Sequence, residues 1–325
     1  MTPTSTLPGV RPVDVRPVDP RPVDPRPVDP PAPVPARARR WWRELAYVVA
    51  FYVVSTAIRR APTATRTALP EPAARAWRGR LRWWRELVYI LAFYFIYSAI
   101  RNTQGSATVS AAHAMGNALE IIRWEDMLGI YWEQSIQQAF LGNRLFIGFW
   151  NVFYGSFHFV VTIGALIMLF RRFPDRYRRW RNTLAFTTAL ALIGFATYPL
   201  MPPRLLPSSY GYIDTLRTYG ALWSFDSEAM QKISNQYAAM PSLHFAWSTW
   251  SALVLVPAVR AKWAKALAAT YPLMTLFAIV VTANHFILDA AGGALVLALG
   301  ALIGFPLAAR IERGNPAAAP LPAAA

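Results

Sequence analysis

"NQYAAMPSLHFAWSTW", residues 235–250, sets a proline, a serine and a histidine directly before a long apolar run, "FAWSTWSALVLVPAV". A run of that kind reads as the start of a membrane-crossing helix. An ionisable group at its mouth is costly unless something there uses it. The reading of the whole chain turns on what else it brings to the same depth as His244.

Composition already favours a membrane protein. Of 325 residues, 55% are hydrophobic, and the net charge is +16 with only Lys232, Lys262 and Lys265 as lysines. A soluble protein this basic would suggest nucleic acid. Here the arginines cluster between long apolar segments, which is the pattern of membrane orientation signals, so no nucleic-acid partner is expected. The chain has no cysteine, which excludes disulfides and thiolate chemistry.

The first 39 residues are low in complexity, with "RPVDVRPVDPRPVDPRPVDP" over residues 11–30. Proline at that density blocks helix and sheet alike, so residues 1–39 are expected to be a disordered tail. A longer repeat follows. "RWWRELAYVVAFYVVSTAIRR" (40–60) matches "RWWRELVYILAFYFIYSAIRN" (82–102). The first copy and its arginine-rich linker, residues 40–81, add an N-terminal hydrophobic helix. No apolar segment in 59–86 lets the chain recross, so this copy either lies in the interface as an anchor, the reading preferred here, or spans in the opposite sense.

Beyond residue 82 six apolar segments approach the ~20 residues a membrane helix needs. They are 87–100, 145–170, 183–200, 243–259, 264–282 and 286–307. The expected fold is all-α, a six-transmembrane-helix bundle over residues 82–310 with a disordered tail at 311–325. Alternate loops carry the positive charge. "RRFPDRYRRWRN" (171–182) holds six arginines, and "RAKWAK" (260–265) holds three cations. These loops are expected in the cytoplasm. The longer, nearly balanced loops 101–144 and 201–241 then face outward, in a multi-pass protein of the plasma membrane. Within the first of them, "ALEIIRWEDMLGIYWEQSIQQAF" (118–140) mixes apolar and polar residues at helical spacing. It suits either an interfacial helix or ordinary packing.

On this topology His244, at the outer start of the fourth span, and His285, in "VVTANHFILDAAGGAL", share one depth. Asp289 follows His285 by four residues, one turn along the same helix face. A carboxylate there can accept the imidazole N–H and leave the other ring nitrogen as a nucleophile or base. In "YPLMPPRLLPSS" (198–209) paired prolines end the third span, and Arg204 follows with a donor fork suited to phosphate. Ser242 and the amides that open the fourth span suit an anion as well. Five residues, Arg204, Ser242, His244, His285 and Asp289, thus converge on one outward-facing pocket. His113 and His158 read as surface or packing residues.

"MPSLH" and "NHFILDAAGG" resemble two signature blocks of the type 2 phosphatidic acid phosphatase superfamily. "PPRL" and the six-helix layout are similar to its inositol phosphorylceramide synthase-like branch. The resemblance covers roughly residues 87–307. It implies that His285 is a nucleophile forming a phosphohistidine, that Asp289 orients it, and that His244 is the acid on the leaving oxygen. Arg204 and Ser242 would bind the phosphoryl oxygens. Many superfamily phosphatases carry an arginine six residues before that nucleophile, where this chain has Ile279. The synthase-like branch shares the loss, which favours transfer over hydrolysis.

The expected substrates are therefore a lipid phosphate or phosphodiester and a hydroxyl acceptor, which is a lipid alcohol, inositol or water. No cofactor and no metal are needed in this scheme. Two other classes fit the residue types. His244, His285 and Asp289 would suit zinc in a membrane metalloenzyme. A histidine relay would suit a proton-coupled transporter, although that should spread ionisable groups along a path rather than gather them at one face.

Overall fold

A computed structural model describes residues 82–103, 110–219 and 236–313. The chain is all-helical there, with no strand among the described residues. Five helices precede the loop at 198–242: α1 (Trp83–Thr103), α2 (Ala111–Leu128), α3 (Glu133–Phe140), α4 (Arg144–Arg172) and α5 (Pro174–Thr197). Two 3-10 turns, Pro203–Leu205 and Ser208–Tyr210, lead to a short α6 (Thr215–Tyr219). Then come α7 (Leu243–Ala258), α8 (Lys262–Val281) and α9 (Ile287–Arg313). The N-terminal tail, the first repeat copy and the residues after 313 lie outside the described residues.

A helix stands at each of the six expected positions, but three, α4, α8 and α9, are long and apolar enough to cross a membrane. α7 has 16 residues and α5 opens on a charged turn. The basic loop expected at 171–182 is mostly helix. Pro174, with its fixed φ and missing N–H, occupies the first turn of α5, where neither is a fault, and so starts the helix inside the arginine run. Arg181, on the second turn, ion-pairs with the buried Glu86 of α1. This contact uses the glutamate of the duplicated "RWWRE".

The helices bury polar groups and expose apolar ones, as a bilayer requires. α4 presents Phe149, Phe157, Phe159, Val160 and Ile163 outward, and α9 presents Leu295, Leu299 and Leu302. α7 is the central helix, packed against α4, α5, α8 and α9. Its Ser248, Thr249 and Ser251 are all buried, as are Ala246 and Trp250. Most polar groups along it find partners within the bundle, although Thr249 Oγ1 has none. Trp250 Nε1 donates to Trp180 O (2.9 Å), Trp247 Nε1 donates to Thr188 Oγ1 (3.1 Å), and Thr162 and Ser251 share a hydroxyl contact at 3.2 Å. α9 packs along α5 at very short range. A Cβ on Gly304 would stand 2.7 Å from Thr183 N, so only glycine lets the two backbones meet there.

α5, α7 and α8 each have one end at a basic turn and the other at the proline-rich or histidine-bearing segments. The bundle thereby gathers at one end every segment from which the sequence drew a candidate site residue.

Candidate active site

His285 and Asp289 lie where the chain turns from α8 into α9. The turn is held from several directions. Asn284 N and His285 N both donate to Ile279 O, at 2.9 and 3.2 Å, and Arg204 N donates to Ala283 O at 2.8 Å. Ala283 adopts φ 52, a left-handed conformation that costs energy in any residue with a Cβ and here survives because its neighbours fix it.

His285 Nδ1 has two partners, Ala239 O at 2.9 Å and Asp289 Oδ2 at 3.1 Å. Both are acceptors, so in the neutral ring Nδ1 carries the proton and Nε2 keeps its lone pair. Asp289 is fully buried. Its Oδ2 also accepts Phe286 N at 3.0 Å, and its Oδ1 has no hydrogen-bond partner.

His244 opens α7 with its ring centroid 5.4 Å from that of His285. Two side chains of α4 hold it. Tyr154 stacks on one face at 4.2 Å, and His158 meets it edge-on, also at 4.2 Å. His158 Nδ1 donates to Tyr154 O at 3.0 Å, which fixes its own ring.

Arg204 sits in the first 3-10 turn. Its Nε donates to Asn284 Oδ1 and its Nη1 to Asp214 Oδ2, both at 2.9 Å. The guanidinium is thus anchored beside the nucleophile candidate by the residue just before it. Ser242 is the N-cap of α7 and fully buried. Its Oγ accepts from Phe245 N at 3.4 Å, and its N–H donates to Asp289 O at 2.8 Å. The backbone bond joins the first turns of the two helices that carry His244 and Asp289. Among the described residues, no three His, Asp or Glu side chains are grouped as metal ligands.

Residues 119–303 match the family model of the PAP2 superfamily. The chain belongs to that superfamily. No curated protein and no solved structure matches it. PAP2 superfamily members are phosphatases and phosphotransferases, and this one is accordingly an enzyme of that type, acting on phosphate esters.

The five residues expected from the sequence are brought together, and the matched span contains them all. The fold adds others. His158, read as packing, touches His244. Tyr154, Asn284 and Asp214 were not anticipated. Asn284 had one available signal, its place next to His285. Tyr154 and His158 had only their four-residue spacing, which does not say which helix they face. His113 is exposed on α2.

Replacing Ser242 with alanine removes an N-cap and should cost about 0.5–2 kcal/mol of stability, read as a lower thermal midpoint of the purified protein. A loss of turnover with no loss of stability would instead assign the hydroxyl to the substrate.

Proposed function

We propose that this PAP2 superfamily protein is a lipid phosphotransferase of the inositol phosphorylceramide synthase-like kind, working at the outer face of the plasma membrane. The observation that carries the reading is the His285–Asp289 pair, with its Nδ1 proton committed and His244 beside it. In the first step Nε2 of His285 attacks phosphorus, the bond to the leaving oxygen breaks, and His244 supplies the proton that oxygen needs. In the second step His244 takes the proton of an acceptor hydroxyl, whose oxygen attacks phosphorus and releases His285. Asp289 stabilises the imidazolium character of His285 while the phosphohistidine exists.

Charge supports a phosphodiester donor. Arg204 is the cationic side chain that, among the described residues, hydrogen-bonds to the loop bearing His285, and Asp214 already offsets part of its charge. Ile279, where many relatives are expected to carry arginine, is fully buried among apolar residues. One shared guanidinium suits a singly charged diester better than a doubly charged monoester. Hydrolysis of a lipid phosphate is the runner-up, since superfamily membership admits both reactions.

The purified protein, given a lipid phosphodiester with and without inositol or a lipid alcohol, should place the phosphoryl group on the added hydroxyl. Water-derived product in every condition would make it a phosphatase, and normal turnover by His285→Ala would remove the nucleophile assignment. His244→Ala should lose ~10²–10⁴-fold with a lipid alkoxide leaving group. With an activated aryl phosphate, whose leaving oxygen needs little protonation, the loss should be much smaller. Equal losses with both would restrict His244 to binding phosphate. Orientation is checked by labelling, which the absence of native cysteine makes clean. A cysteine at the exposed Ser208 should react with an impermeant reagent from outside, and one at the exposed Arg172 should not. The opposite pattern would invert the topology.

A further inference from the structure

Glu125 and Glu133 belong to neither motif, yet both are fully buried. They lie eight residues apart, on either side of the turn at Gly129, whose φ of 69 ends α2. Each does the same job with one oxygen. Glu133 Oε1 accepts from Ile287 N at 2.8 Å, and Glu125 Oε1 accepts from Leu288 N at 2.7 Å. Those are the first two amides of α9, which have no acceptor within their own helix. Each glutamate keeps a second buried oxygen, Oε2, that receives no N–H or O–H from the rest of the protein. Because they accept from neighbouring amides of one turn, the two buried carboxyl groups stand side by side.

Two carboxylates cannot hydrogen-bond without a proton between them. Among the described residues, no cationic side chain acts on the pair to let both ionise. The titratable groups facing the pair are Asp289 from α9, Tyr131 from the turn before α3 and Tyr212 from the outer loop. One negative charge on the pair is favoured by the positive end of α9. A second would be opposed by its neighbour, by Asp289 and by burial.

We propose that Glu125 and Glu133 are a carboxylic acid–carboxylate pair sharing one proton, and that they position the first turn of α9, and so His285 and Asp289, for phosphoryl transfer. They are positioning residues and need touch no substrate. Burial, reinforced by the charge of Glu133, pushes the Glu125 carboxyl up to about 11. Burial likewise raises Glu133. The part concerning transfer rests on the reaction proposed above; the shared proton does not.

Three measurements on the full chain test it. The first is amide hydrogen exchange at Ile287 and Leu288. Glu125→Ala should speed it, and Glu125→Gln should restore slow exchange, because an amide N–H replaces the shared proton. The second is thermal stability against pH. Between about pH 5 and 10 the folded wild type holds a proton that the unfolded chain has released, so its stability falls as pH rises. Glu125→Gln has no such proton and should show a slope smaller by one proton. The third is turnover, with kcat of Glu125→Ala down ~10²-fold, as for a reacting group displaced by about 1 Å, and Glu125→Gln within about threefold of wild type. Unchanged exchange in Glu125→Ala would overturn the positioning role, and identical pH slopes would overturn the shared proton. Glutamine as damaging as alanine would overturn the pairing. If the wild type transfers no phosphoryl group, the first two measurements still decide the pair, and only the reaction assignment fails.

Discussion

The first turn of α9 begins with amides that have no acceptor in their own helix, and carboxyl groups hold them. Phe286 N is taken by Asp289, Ile287 N by Glu133 and Leu288 N by Glu125. A buried amide with no acceptor costs about 1–3 kcal/mol, and one buried and two partly buried amides in a single turn would be a liability in a marginally stable protein. Asp289 belongs to α9 itself, whereas Glu133 and Glu125, on the neighbouring α3 and α2, reach it from 154 and 163 residues away. Satisfying one turn therefore ties α2, α3 and α9 into a single unit and fixes the carboxylate that orients His285.

This arrangement also decides what the helix end cannot do. A helix N-terminus is a natural anion site, and the start of α9 would be an obvious place to seat a phosphate. Its amides are already taken by the protein's own acids. At this helix end the donors left for a phosphoryl group are side chains, and in the reaction proposed here Arg204, held by Asn284 and Asp214, is one of them. The same constraint turns α2 and α3 inside out. Glu125, Glu133 and Gln137 point inward and are buried, while Trp124, Met127 and Trp132 are exposed. An amphipathic element with its acids inward and its tryptophans outward suits a place between a polar pocket and a lipid surface.

Much of this was legible in the sequence where the signal is local. His285 and Asp289 are one turn apart, and any helix through them would bring them together. The proline break before Arg204 and the alternation of basic loops likewise need only neighbouring residues to be read. Glu125 and Glu133 were not legible, because their partners are 163 and 154 residues away. Helical periodicity over 118–140 shows that two faces differ but not which one is buried, and the hydrophobic rule for soluble proteins points the wrong way here. Arg204 was read as an open fork for phosphate. Its two protein partners come from loop geometry that no spacing encodes. The family resemblance supplied roles for the motif residues but said nothing of Tyr154 or His158, which arrive on a separate helix.

The paired glycines of "DAAGGAL" complete the physical account of the motif. A Cβ on Gly292 would lie 3.2 Å from Pro241 Cβ, and one on Gly293 would collide with the carbonyl oxygen of Ser242. The second turn of α9 therefore touches the backbone that opens α7, in the same region where Ser242 N donates to Asp289 O. Any side chain at Gly293 would push the two helix starts apart and strain that hydrogen bond. His244 is two residues beyond Ser242, and His285 is bonded to Asp289. The separation of the two histidine rings is thus set chiefly by how closely two backbones approach, and less by the histidine rotamers. Backbone contacts are stiffer than side-chain torsions, which is what the proposed transfer, with a nucleophile on phosphorus and an acid on its leaving oxygen, requires of its scaffold.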